Sequence, residues 1–418
     1  MQTLRLLSRF AVALTACALL TSSLSVDPTP AYAQTQSKKK KVTKKKPPPV
    51  APKEEPAVRA PFTVAESDAA VVLGIPNARA WGDSETEFAR LLPQASGPWL
   101  AISGGGADGA FGAGLLSGWS QAGTRPEFAV VTGVSIGSLI APFAFLGSKY
   151  DEELHKSFTT ISAADVFEDR LTRDSLFDYW PLRRAIAERV TPKLLVDIAA
   201  EHKRGRRLLV ATTSLDTGRR AVWNMGAIAE RGDETALKLF RDILLASCSI
   251  PGFFSPVAID LEANGKKLEE MHGDGTLTAP FFVVPESMIA PGGKGRPPFT
   301  QLYVLVNSKL VPDFKLPDRS IPEVLGRSID VALTSALRAE IMLMNVGAGR
   351  HGVGLHVAHV DTSFNFPSRG PFDGRYMRAL YDFGVEQGKK SSAFEEAQVS
   401  RAVRGAANPT FSEPSAPQ

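Results

Sequence analysis

Three short runs of this chain carry residue types that could open an acyl bond. Gly133-Val134-Ser135-Ile136-Gly137 has the form G-x-S-x-G. That pattern sets a serine on a sharp strand-to-helix turn, and the glycines on either side let neighbouring backbone come close. Its Oγ would stand at a helix N-terminus, where developing negative charge is favoured. Upstream, Gly104-Gly105-Gly106-Ala107-Asp108-Gly109 enters a helix with backbone N–H groups that have no bond of their own to make. Such groups can hold an oxyanion, and one donor of this kind contributes roughly 3–4 kcal/mol in the transition state. Downstream, His272-Gly273-Asp274-Gly275 offers a carboxylate, with Gly275 leaving room for close approach. A carboxylate beside a hydroxyl can take its proton once partial burial raises its pKa towards neutrality. The chemistry these types support is nucleophilic acyl transfer.

The surrounding elements must bring these runs together. Residues 98–103 read as a buried strand stopped by glycines, and 110–119 as a helix. Residues 128–132 form a second buried strand, followed by the serine turn and a helix through Leu146. Strand, glycine turn, helix, strand, sharp turn, helix predicts a parallel sheet with covering helices. Further strands are expected at 207–214, 302–307 and 354–360, and helices at 234–246, 321–344 and 375–387. Residues 150–205 are mainly helical by pattern and suit a cap, while 285–300 read as a loop.

Two more segments complete the pattern. Ser247-Cys248-Ser249-Ile250-Pro251-Gly252-Phe253-Phe254-Ser255-Pro256 precedes the Asp-Gly run, and Thr212-Thr213-Ser214-Leu215-Asp216-Thr217-Gly218 precedes that. With the glycine loop and the serine turn, their order across about 100–280 resembles the patatin-like phospholipases. The resemblance implies a three-layer α/β fold with a mainly parallel central sheet and helices on both faces. It implies a Ser–Asp dyad without histidine, with Ser135 as nucleophile and Asp274 as base. Gly105 and Gly106 would donate to the oxyanion, Gly104 and Gly109 would shape that loop, and Gly133 and Gly137 would flank the nucleophile. It implies lipid acyl esters as substrates, with no cofactor and no metal. Three positions depart from the family pattern: Asp108 where Arg or Lys is common, Thr276 where a small residue is, and Ser214 in place of an Asp. An acid is favoured at a helix N-terminus, but a phosphate contact from a basic residue at 108 is lost.

Competing readings remain open at this level. Gly104, Gly106 and Gly109 also satisfy the dinucleotide fingerprint, which wants an acidic residue at the end of the next strand; Gly133-Val134-Ser135 occupies that place. A Ser–Asp–His triad esterase would draw its histidine from His351, His356 or His359, all of which follow Asp274. His356 and His359 do not make a metal pair on a strand, since residues three apart face opposite sides, and no zinc spacing exists elsewhere. A catalytically silent lipid-binding relative is the non-enzymatic alternative.

Composition sets the compartment. The chain has 418 residues, 44% hydrophobic and 22% charged, enough for a large α/β domain. Arg5 and Arg9, the apolar run 10–20 and Ala31-Tyr32-Ala33 read as a signal peptide over 1–33. The run is too short to span a bilayer. Leu14-Thr15-Ala16-Cys17 resembles a lipoprotein box, so anchoring at Cys17 is the alternative to cleavage. After cleavage, Cys248 is the one cysteine left, and no internal disulfide can form. Residues 34–60 hold eight lysines and Arg59 against Glu54 and Glu55, a net of +7. With +1 on residues 1–33 and +4 in total, residues 61–418 carry −4. The Lys38–Lys46 run with its prolines predicts a disordered linker over 34–61, able to touch an anionic envelope surface. Lacking interleaved aromatics and attached to an acidic body, it does not suggest nucleic acid as a partner. The expected organisation is leader, linker, one catalytic domain over 62–405 and a disordered tail over 406–418, in an exported, periplasmic or secreted protein.

Overall fold

The computed structural model describes residues 59–290, 296–390 and 392–396. The leader, Cys17, the Lys38–Lys46 run and the 406–418 tail lie outside them, as do residues 291–295 of the expected loop.

Ten strands form one sheet: β1 (Arg79–Trp81), β2 (Trp99–Ile102), β3 (Val130–Val134), β4 (Arg207–Ser214), β5 (Arg220–Asn224), β6 (Val257–Ala263), β7 (Lys266–Asp274), β8 (Gln301–Val306), β9 (Gly354–His359) and β10 (Glu395–Glu396). Their order is β1-β5-β4-β3-β2-β8-β9-β10, with β7 pairing both β4 and β6. The centre, β4-β3-β2-β8-β9, is parallel, and the remaining pairs are antiparallel. Helices cover both faces, so the fold is three-layer α/β with a mainly parallel centre.

The layers follow from strand periodicity. β2 and β3 are buried at every position, as strands covered on both faces must be. Leu100 and Ile102 point into one core, with the helices Gly109–Gln121, Ile136–Leu146 and Glu234–Ser247. Trp99 and Ala101 point into the other, with Phe281, Phe282 and the end of the helix Ile321–His351. The helix that follows the glycine loop packs backbone to backbone on the helix Gly374–Gly388. A Cβ at Gly114 would run into the carbonyl of Tyr381, and one at Gly384 into that of Phe111.

Several elements depart from the sequence reading. β3 lies two residues later than expected. The long helix passes through Gly347 and Gly349 and stops at Gly352, whose φ of +65° ends it in the left-handed conformation. Strands β1, β5, β6 and β7 were not anticipated. The segment 160–179 between the helices Asp151–Thr159 and Trp180–Arg189 is largely irregular, so 150–205 is less helical than its pattern suggested. Arg59 and Pro61, which composition assigned to the linker, bond to the body: Arg59 pairs with Asp216 at 2.7 Å, and the Pro61 carbonyl accepts from Lys266 at 2.9 Å.

Candidate active site

β4 is the ruler of the site. Its first residues pair with β3 up to Val134↔Ala211, and its next residue, Thr212, pairs with Asp274 of β7. β7 takes over the edge of β4 where β3 ends. Ser135, the residue after Val134, and Asp274 are thus seated by neighbouring positions of one strand, although 139 residues separate them.

At the turn, Ser135 has φ 52° and ψ −129°, a conformation that costs a non-glycine residue about 1–3 kcal/mol and persists only when its surroundings enforce it. Two bonds do so. The Ser135 N–H donates to Ser247 Oγ at 3.0 Å, and Ser138 Oγ donates to the Ser135 carbonyl at 2.6 Å. Ser247 Oγ in turn donates to the Ala211 carbonyl at 2.8 Å. The carbonyl of Ser249 takes the Asp274 N–H at 2.8 Å. One short segment, 247–249, therefore ties both residues of interest to β4.

Ser135 Oγ donates to Asp274 Oδ2 at 2.7 Å. Asp274 is fully buried, and burial pushes its carboxyl up to about 6 against the downward pull of Thr276 and Ser135. Thr276 donates to Oδ1 twice, from its N–H at 2.8 Å and from its hydroxyl at 2.6 Å.

The glycine loop lies alongside. Gly104 is used structurally: its N–H bonds the Pro280 carbonyl at 3.0 Å, and a Cβ would strike the Thr276 methyl and crowd Ser135. Gly105 has φ 152° and leaves no room for a Cβ beside the Asn307 carbonyl. Gly106 has φ 56°, and no atom crowds its Cβ position. Both are exposed, and their N–H groups make no backbone bond among the described residues. Gly109 packs against Ile136 and Phe158. Behind the loop, Asn307 acts as a clamp. Its N–H reaches Ser103 Oγ at 2.9 Å, its Nδ2 reaches the Ser103 carbonyl at 2.9 Å, and its Oδ1 accepts from the Gly112 N–H at 3.1 Å.

Beneath Ile136 opens an apolar pocket lined by Leu139, Phe143, Phe158, Leu182 and Met377, among others, with Arg189 and Ser157 as its polar members. It adjoins the serine turn through Ile136.

Residues 100–284 match the family model of patatin-like phospholipases. They are a patatin-like phospholipase domain. The patatin-like phospholipase family suggests lipid acyl hydrolase activity for this domain. In structure the chain is similar to the crystal structure of VipD from Legionella pneumophila, with 12% identity, coverage of 72% of this chain and 67% of that one, and a TM-score of 0.31. Comparison with curated proteins finds no match.

Within the patatin-like domain, Asp108 does not cap the helix it precedes. It accepts from the Tyr376 hydroxyl at 2.7 Å, and burial pushes it up to about 6, outweighing the downward pull of that bond. The histidines considered for a triad are elsewhere. His356 bonds Gln301 at 2.6 Å and His359 bonds the Val360 carbonyl at 3.0 Å, both on β9, with β8 and β2 between them and β3. His351 ends the long helix at the opposite edge of the parallel strands. No group of acidic, His or Cys residues suited to a metal occurs among the described residues. Ser103, Ser247, Ser249 and Asn307 carried no role in the sequence reading. Ser103, Ser135 and Asn307 share a signal: each is the first polar residue after a buried strand that ends at the C-terminal edge, where α/β folds place their sites.

Proposed function

We propose that the protein is an exported serine acyl hydrolase that cleaves carboxylic esters of lipids, of the phospholipase A or lipase type, through Ser135 and Asp274. The bond between Ser135 Oγ and Asp274 Oδ2 at 2.7 Å, beside glycine N–H groups that make no bond among the described residues, carries the reading. Ser135 Oγ attacks the ester carbonyl while Oδ2 accepts its proton. The N–H groups of Gly105 and Gly106 take the charge of the tetrahedral oxygen. Asp274 returns the proton to the departing alcohol, which leaves Ser135 acylated. A water, deprotonated by the same carboxylate, then releases the fatty acid and restores the hydroxyl. The apolar pocket that starts at Ile136 would receive the acyl chain. The leader over 1–33 supports export, and the Lys38–Lys46 run suits contact with an anionic envelope surface.

The test uses the purified protein and its Ser135→Ala variant on 4-nitrophenyl butyrate and on phospholipid and neutral-lipid panels, with released fatty acid identified. Hydrolysis by the wild type and its loss in the variant is the expected result. Hydrolysis that survives Ser135→Ala overturns the proposal.

A further inference from the structure

The helix Ile321–His351 is longer than its place in the fold requires. It links β8 to the parallel β9, so it runs from the C-terminal edge of the sheet back to the N-terminal edge. Six-residue strands are about 20 Å long, whereas 31 residues of helix extend about 46 Å. All its buried residues, Leu337, Ile341, Met344, Gly347 and Ala348, lie towards its end. Residues 321–336 therefore overhang the sheet by about 24 Å, and they do so at the edge that carries Ser135 and the glycine loop.

The overhang stands beside the candidate site. A Cβ on Gly326 would sit 3.8 Å from the ring of Phe253, four residues beyond Ser249. Arg327 donates to the Asp313 carbonyl at 3.0 Å, and the charge of Asp330 acts on Asp108 at the glycine loop.

Its outward row is uncharged and mostly apolar. The helix is long and apolar enough, by length and composition, to cross a membrane, yet 28% of its most apolar window is buried, far less than a core helix would hide. Ile321 is 76% exposed, Val324 51% and Val331 45%, and Leu316 just before the helix is 80% exposed. The exposed positions that continue this row, Ser328, Ser335 and Ala339, carry no charge. Within the overhang the row steps by three and four residues alternately, but two of its five members are Ser328 and Ser335, where a seam for a supercoiled partner helix would set apolar knobs. Apolar surface of this kind, standing at the mouth of a site for lipid esters, fits a lipid surface.

We propose that the overhanging half of this helix, with Leu316 at its foot, enters the surface of the lipid aggregate and brings the mouth of the site to its substrate. The proposal rests on the lipid-hydrolase reading above. It gives the helix the part of an interfacial anchor that lies in the surface without spanning it.

Sedimentation of the full chain with phosphatidylcholine vesicles tests this, since neutral vesicles give the Lys38–Lys46 run no charge to follow. Ser135→Ala serves as the parent so that the lipid stays intact. Adding Val324→Glu and Val331→Glu should lower vesicle partition by about tenfold or more. In the chain with Ser135, the same pair should leave 4-nitrophenyl butyrate hydrolysis within about twofold while vesicle hydrolysis falls with partition. Equal partition of parent and double variant overturns the inference. So does a doubled mass in light scattering that the pair of substitutions halves, because the row would then be covered by a second copy. Failure of the hydrolase reading shows separately, as ester cleavage that survives Ser135→Ala.

Discussion

Thr276 donates to Asp274 Oδ1 from both its N–H and its hydroxyl, at 2.8 and 2.6 Å, and so leaves Oδ2 to Ser135. The two residues form a small turn in which one oxygen is held by the fold and the other faces the Ser135 hydroxyl. Hydrogen bonds to the ionised form favour it, so the Thr276 hydroxyl opposes the effect of burial. Thr276→Val keeps the methyl that packs on Gly104 and removes that bond. The acid limb of kcat/KM against pH on a soluble ester should then move up by about one unit, and Thr276→Ser should restore it. A limb that stays in place in Thr276→Val would show that the hydroxyl does not tune the base.

As the proposed base, Asp274 must be ionised to work, and burial pushes its carboxyl up to about 6. Activity should therefore rise with pH through a midpoint near that value and level off above it. Stability should move the other way. A buried acid whose folded pKa exceeds its unfolded value of 3.8 binds a proton in the fold that the unfolded chain has released. Its contribution to stability is present below 3.8 and is lost as pH rises through about 6. Asp274→Asn removes the charge and should raise stability at pH 8 by roughly 1–3 kcal/mol while abolishing hydrolysis. Thermal melts at pH 8 and pH 4 decide the matter: a gain confined to the higher pH is expected, and destabilisation at pH 8 would contradict it.

Asn307 sets the position of the glycine loop without facing the proposed reaction centre. Its backbone and side chain bond Ser103 and Gly112, which bracket the loop. Asn307→Ala removes both side-chain bonds and leaves buried groups unpaired, costing about 1–3 kcal/mol of stability. A loop that no longer aims its N–H groups should lose about 100-fold in kcat, the scale of one oxyanion donor, with KM little changed. Steady-state kinetics below the melting temperature separate the two effects. Unchanged kcat in a folded Asn307→Ala chain would exclude Asn307 as the clamp.

The parts of the fold that could be read from sequence are those where one signal dominates. β2 and β3 are unbroken apolar runs ended by glycines, because both faces are covered. The hairpin that carries Asp274 hides this way: β6 alternates buried and exposed residues, and β7 opens with Lys266-Lys267 and is polar along one face. Its available signal was the turn Asn264-Gly265, where both residues have positive φ, 54° and 81°. Ser135, Asp274 and the glycines were legible because their types and order form a pattern. Asn307 was not, because a single asparagine after a strand has no partner until the sheet places Ser103 beside it. The reversal at Asp108 was hidden for a similar reason: the helix start is local, whereas Tyr376 comes from 268 residues away.

The choice between a dyad and a triad turns on distance across the sheet. β9, which carries His356 and His359, lies three strand spacings from β3, about 14 Å. Both oxygens of Asp274 are already engaged by Ser135 and Thr276. His272, two residues before the acid, is turned away, with Nδ1 at 2.9 Å from Thr212 Oγ1, and burial lowers its pKa. Alanine at His351, His356 and His359 together should therefore keep kcat/KM on a soluble ester within about threefold. Asp274→Asn should reduce it by about 10⁴-fold, the scale of losing a triad aspartate. A collapse of activity from any one of the three histidine substitutions would mean that the working enzyme rearranges its sheet edge, and that the bond between Ser135 and Asp274 belongs to a resting state.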